Sequence, residues 1–218
     1  MNLVFPPLYA IIDAALLKTS ELSFAEMMAE SGVELLQYRN KRASSKELFE
    51  ASQAISARLS ALAKPGVYAP RFIVNDRADV ALVVNAQGVH VGQHDLGVEE
   101  ARAIVGHDKW VGVSTHSLDQ LDAADTTSAN YIAFGPIFPT ASKENPDPVV
   151  GLELLRQARQ HTRKPLVAIG GITLERAADT FRAGADSLAV ARDLIASEDP
   201  AARARLFLRE AARARGED

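Results

Sequence analysis

The chain has 218 residues, with 24 Lys plus Arg against 28 Asp plus Glu and a formal charge of −4 at pH 7. Apolar residues make up 47% and charged residues 24%, the balance of a globular protein with a sizeable core, and the mild acidity argues against a dedicated nucleic-acid binder. The absence of Cys excludes disulfides and thiol chemistry, restricts any metal to oxygen or nitrogen ligands, and fits a reducing compartment.

Residues 1–17 are apolar but lack a basic flank and are broken by Pro6, Pro7 and Asp13, so they read as a first strand rather than a leader. No stretch approaches the roughly 20 apolar residues of a membrane span, so a cytoplasmic protein with no membrane partner is expected. Eight short apolar runs follow in order, at 8–12, 35–39, 71–75, 88–92, 110–114, 131–135, 166–170 and 187–191. Each has the length of a buried parallel strand, and most are rich in β-branched or aromatic residues. Their spacing averages about 27 residues, which suits a strand and a helix per unit.

The intervening stretches carry helix signals. Leu48, Ala51, Ile55, Leu59 and Leu62 recur at steps of three and four, on one helical face. Ser23 with Glu26, Ser44 with Glu47, and Ser117 with Gln120 have capping-box spacing, and Thr173 is placed to cap a helix holding Leu174, Ala177, Ala178 and Phe181. Gly32, Gly106 and Gly184 stand where helices should stop. No linker splits the chain; its loosest segments are 63–70 and 140–148. Eight strands alternating with eight helices predict a single (β/α)8 TIM barrel over residues 1–218, with an open doubly wound sheet as the alternative.

Chemistry in such a barrel sits at the C-terminal strand ends. The second strand ends in Gln37, Arg39 and Lys41, which alternate to one side and suit an anion. Asp76 and Asp95 each follow a strand end, either as helix caps or as a carboxylate pair for Mg2+ bridging to phosphate. Gly170 and Gly171 precede a helix and offer backbone N–H groups, and Thr140, Ser142 and Lys143 add two hydroxyls and a cation nearby. The layout suits two phosphate-bearing groups. His90 reads as a packing residue and His107 and His161 as surface residues. His116 follows Ser114, but no nucleophile elbow accompanies the pair. Arg205, Arg209 and Arg213 read as a solvated stripe opposite the buried Ala204, Phe207, Leu208 and Ala211.

QYRNK at 37–41, VNDR at 74–77, GVHVGQHD at 88–95, GVSTH at 112–116, FGPIFPT at 134–140, VAIGGI at 167–172 and AGAD at 183–186 together resemble the thiamine phosphate synthase family, in order, over residues 9–195. The resemblance implies a barrel enzyme that joins a pyrimidine diphosphate to a thiazole phosphate, releasing pyrophosphate. By position it implies that Gln37, Arg39 and Lys41 hold the pyrimidine diphosphate, with Asn75, Ser114 and Lys143 beside it. Asp76 and Asp95 would hold Mg2+. Thr140, Ser142 and Gly171 would hold the thiazole phosphate, together with Ala191 and Arg192, which stand where many members have Ile-Ser. Arg39, Lys41, Ser114 and Lys143 would assist the leaving group. The alternatives are a thiazole tautomerase of the same superfamily, in which His116 would matter, and a non-catalytic phosphate-ligand sensor. A homo-oligomer is compatible with the sequence, and residues 140–148 are the candidate lid.

Overall fold

The eight apolar runs become eight strands because each is short, apolar and bounded by turn-forming residues. The computed structural model describes residues 5–63, 69–140 and 147–216. The strands are β1 (Leu8–Asp13), β2 (Leu35–Arg39), β3 (Arg71–Asn75), β4 (Gly88–Val91), β5 (Trp110–Thr115), β6 (Tyr131–Phe134), β7 (Leu166–Ile169) and β8 (Ser187–Val190). Every neighbouring pair is parallel, and β8 pairs with β1, closing the barrel. The open-sheet alternative is thereby excluded.

The pleat divides each strand between two cores. Register pairs Tyr9 with Leu35, Ile11 with Gln37, and Asp13 with Arg39. These residues face the barrel interior, where Tyr9, Leu35, Ile73, Tyr131 and Val167 form one buried cluster. The alternate residues, such as Leu8, Ala10, Leu36 and Phe72, face outward against the helices in a second, larger cluster.

The helices are α1 (Glu21–Glu30), α2 (Ser45–Ala61), α3 (Ala78–Val83), α4 (Val98–Val105), α5 (Leu118–Asp125), α6 (Gly151–His161), α7 (Leu174–Arg182), α8 (Arg192–Ile195) and α9 (Pro200–Arg215). Nine helices among the described residues replace the expected eight, because Pro200 starts a new helix with Asp199 as its cap. The Ser44–Glu47 capping box forms as expected, a device worth about 1 kcal/mol. Ser23 does not cap α1; Ser20 does, accepting from the Ser23 N–H, so the helix starts one turn earlier. Ser117 accepts from the Gln120 N–H, while Gln120 turns its own carbonyl to the His116 N–H. Thr173 holds the cap position of α7 but makes no side-chain cap bond. On α9, Ala204, Phe207 and Ala211 are buried, with Arg205, Arg209 and Arg213 exposed. Among the described residues no helix is long and apolar enough to cross a membrane.

Candidate active site

Strand ends β1, β2 and β5 to β8 surround a cavity of about 730 Å³. Its walls include Arg39, Ser114, Thr140, Gly171, Ala191 and Arg192, six of the residues expected to bind substrate. Ile11, Ile169 and Ile172 give it apolar surface. Ser142 and Lys143 lie outside the described residues, as does most of the 140–148 segment.

Lys41, Asp76 and Asp95 form a separate cluster beyond that wall. The Lys41 Nζ is 3.2 Å from the Asp76 Oδ2. The Asp76 and Asp95 carboxyls lie close enough to perturb each other. Asp76 follows β3 with φ +62, a left-handed conformation that Asp tolerates and that recurs at functional sites. Its side chain caps nothing: Arg77 holds the cap position of α3. Asp95 is anchored by the Gly92 N–H at 2.8 Å.

Burial pushes the Asp76 carboxyl up to about 6, with the hydrogen bond and charge of Asp95 adding to the shift and Lys41 opposing it. Two carboxyls forced together in this way fit a divalent cation, whose charge would relieve their repulsion. No third His, Cys, Asp or Glu joins them among the described residues. Such a donor set suits Mg2+, which takes one or two carboxylates and fills its other positions with water and phosphate oxygens. Proton and cation compete for Asp76. Cation affinity is therefore expected to fall about tenfold per pH unit below about pH 6, measured by calorimetry. An affinity flat from pH 7 to pH 5 would remove Asp76 from the ligand set.

Gln37 and Arg39 have partners of their own. Gln37 is buried and donates to the Tyr9 hydroxyl at 2.6 Å. Arg39 is paired with Asp13 at 2.6 Å. Asp13 also lines the cavity, and only the parity of β1 could have revealed it: it is the charged residue ending that apolar run. The alternation that groups Gln37, Arg39 and Lys41 stops where β2 ends, at Arg39. Asn75 ends β3 opposite His90.

The opposite side of the mouth is built by close loop packing. The Gly171 N–H and Ile172 N–H have no protein acceptor among the described residues. Arg176 donates to the Gly171 carbonyl at 2.7 Å and lies 4.5 Å over the Phe138 ring, joining the loops after β7 and β6. Arg192 is exposed and, among the described residues, carries no ion pair. Arg176 stands outside the strand-end motifs and is brought in by α7, whereas Arg192, expected at the thiazole phosphate, opens α8. His116 donates through Nδ1 to the Gly135 carbonyl at 2.5 Å and meets Asp147 through Nε2 at 3.3 Å. The histidine beside Ser114 is instead His90, at 2.8 Å.

A family model described as thiamine monophosphate synthase matches residues 8–194. The chain belongs to the thiamine monophosphate synthase family. It is 47% identical to a thiamine-phosphate synthase of Koribacter versatilis, over 95% of this chain and 96% of that one. It is 43% identical to a thiamine-phosphate synthase of Chloroflexus aurantiacus, over 91% and 89%. The solved structure of thiamine phosphate pyrophosphorylase from Pyrococcus furiosus superposes with a TM-score of 0.84 at 30% identity, covering 95% of this chain and 96% of that one. The family resemblance in the strand-end motifs therefore extends through the whole barrel.

Proposed function

We propose that this barrel, as one catalytic unit of residues 1–218, condenses a pyrimidine diphosphate with a thiazole phosphate to give thiamine phosphate and pyrophosphate by a dissociative route. The supporting observation is the pair of anion stations on opposite sides of one mouth. Lys41, Asp76 and Asp95 follow β2 to β4. The N–H groups of Gly171 and Ile172, which have no protein acceptor among the described residues, follow β7 and, with Arg192 after β8, lie across the ring.

In this reading the bond between the pyrimidine methylene carbon and the diphosphate oxygen breaks first, and its electron pair leaves with the diphosphate. Lys41, the Ser114 hydroxyl and Lys143 meet the developing negative charge, with Arg39 held in place by Asp13 and Asn75 beside them. Mg2+ held by Asp76 and Asp95 would add positive charge at the departing oxygens. The thiazole nitrogen then gives its lone pair to the methylene cation. No side-chain nucleophile or base is consumed. Thr140, Ser142, Gly171, Ala191 and Arg192 hold the phosphate tail and so the nitrogen's aim. Ile11, Ile169 and Ile172 keep water from the cation.

The test supplies both substrates with Mg2+ and follows pyrophosphate and thiamine phosphate together. Equal amounts of both products are expected. Isomerised thiazole phosphate without pyrophosphate would favour a tautomerase, and binding without turnover a sensor. Lys41→Ala is expected to weaken pyrimidine diphosphate binding about tenfold, the worth of one charge-assisted contact. Thiazole phosphate binding should change less than about twofold, because that station lies across the mouth. Equal losses in the two titrations would contradict separate stations.

A further inference from the structure

The middle of a TIM barrel is ordinarily filled with branched apolar side chains. Here it holds four buried polar ones, Tyr9, Gln37, His90 and Tyr131. Gly112 makes the room: a Cβ there would lie 2.0 Å from the Tyr131 Cζ. The four form a continuous chain that ends on a fifth residue. The Gln37 Nε2 is 2.6 Å from the Tyr9 hydroxyl, which is 2.8 Å from the Tyr131 hydroxyl. Tyr131 is 3.0 Å from His90 Nδ1, and His90 Nε2 is 2.8 Å from Ser114 Oγ. Ser114 lines the cavity.

We propose that this chain is polarised in one direction, from the Gln37 amide to Ser114, and holds His90 as the neutral Nε2–H tautomer, so that the Ser114 hydroxyl proton is left to donate into the cavity. Proton counting supplies the argument. Burial pushes both phenols far above the ordinary tyrosine range, so each keeps its single proton. The Tyr9 oxygen accepts from Gln37, and its only other partner among the described residues is Tyr131. Its proton must therefore go to the Tyr131 oxygen. The Tyr131 proton then goes to His90 Nδ1. A neutral imidazole that accepts at Nδ1 carries its proton on Nε2. That N–H donates to Ser114 Oγ, and the Ser114 proton has no protein acceptor among the described residues.

A doubly protonated His90 would reverse the Tyr131 bond and leave one of the two buried phenol protons without an acceptor, which costs free energy. The reverse polarity with a neutral ring needs the Gln37 amide turned over. It would make Ser114 donate to His90 and present only lone pairs, and an anionic oxygen cannot use lone pairs. The direction of the chain thus decides whether Ser114 can stabilise a departing diphosphate. Tyr9, Tyr131 and His90 act through Ser114 and are positioning residues. The inference rests on the proposed role of Ser114 towards the diphosphate.

The tautomer can be read without turnover. In a long-range proton–nitrogen correlation spectrum of the labelled full chain, His90→Gln identifies the His90 signals among the five histidines. A protonated Nε2 with a bare Nδ1 is expected. A protonated Nδ1, alone or with Nε2, overturns the proposal. Kinetics give a second reading. The Gln amide of His90→Gln can reach Ser114, while that of His90→Asn is one methylene short. His90→Asn is expected to lose about tenfold in kcat, the worth of one misdirected hydrogen bond, with the KM for thiazole phosphate unchanged. His90→Gln should keep kcat within about threefold of the unsubstituted chain. Equal loss in both variants at matched thermal midpoints would also overturn the proposal. Ser114→Ala with full activity would remove the Ser114 role instead, leaving the tautomer result standing, so the two failures are distinct.

Discussion

Asp95→Asn is expected to slow product formation about a hundredfold, some 2.7 kcal/mol on the barrier, while making the metal-free protein more stable above pH 6. The rate loss follows from the donor set. Asp76 and Asp95 are paired with no third His, Cys, Asp or Glu beside them among the described residues, so removing one charge leaves half a site. The stability gain follows from the same pair. The folded Asp76 pKa is raised, so between about pH 4 and pH 6 the native chain holds a proton that the unfolded chain has lost. Native stability therefore falls as pH rises through that window. Removing the Asp95 charge relieves the part of the loss due to Asp95, and the gain is complete above about pH 6. The Asn oxygen can still accept from the Gly92 N–H, so the loop stays anchored. Calorimetric melting at pH 7.5 without metal should show a midpoint roughly 2–4 °C higher. At pH 4 the difference should vanish. A lower midpoint at pH 7.5, or an unchanged rate with Mg2+ present, would sink the assignment.

Gly171→Ala is expected to raise the KM for thiazole phosphate by about one to two orders of magnitude, as two backbone donors lose their aim. Gly171 sits at φ +64. An added Cβ would lie 2.6 Å from the Pro139 carbonyl oxygen and 2.7 Å from the Phe138 Cβ, closer than such atoms approach. The left-handed conformation alone costs an alanine about 1–2 kcal/mol. The loop must move off the β6 loop, yet Arg176 ties the two together through the Gly171 carbonyl and the Phe138 ring. The Gly171 and Ile172 N–H groups then shift together. A midpoint lower by roughly 4–8 °C should accompany the loss. Binding of the pyrimidine diphosphate should be unchanged, because its station lies across the barrel. Unaltered thiazole phosphate affinity by titration would show that these N–H groups do not hold the tail.

The strands were legible because each is a short apolar run. All of their sequence-predicted ends fall within one residue of those observed: β1 and β5 run one residue further, and β4, β6, β7 and β8 stop one residue short. Helix starts were legible where a cap had a partner at the right spacing, as at Ser44, and misread at α1, where two serines compete for the role. Asp76 and Asp95 were recognisable as strand-end acids, but their contact was not, because it depends on β3 and β4 lying side by side. Asp13 escaped because it reads locally as a break in an apolar run, and only its register opposite Arg39 shows that it ends β1. Arg176 and the His90–Ser114 bond escaped because nothing in local sequence relates a helix residue to the loop beneath it, or β4 to β5.

By itself the amino-acid order determined a repeating strand and helix unit and the polar residues at each strand's end, since both follow from patterns within a few neighbours. Only closure of the barrel decided which of those polar groups meet. Closure set Arg39 against Asp13, Lys41 against Asp76, and Tyr9, Tyr131 and His90 in one line to Ser114. Those contacts join strands up to 122 residues apart along the chain. Their geometry is set by strand register and side-chain packing across the interior, which no local pattern encodes.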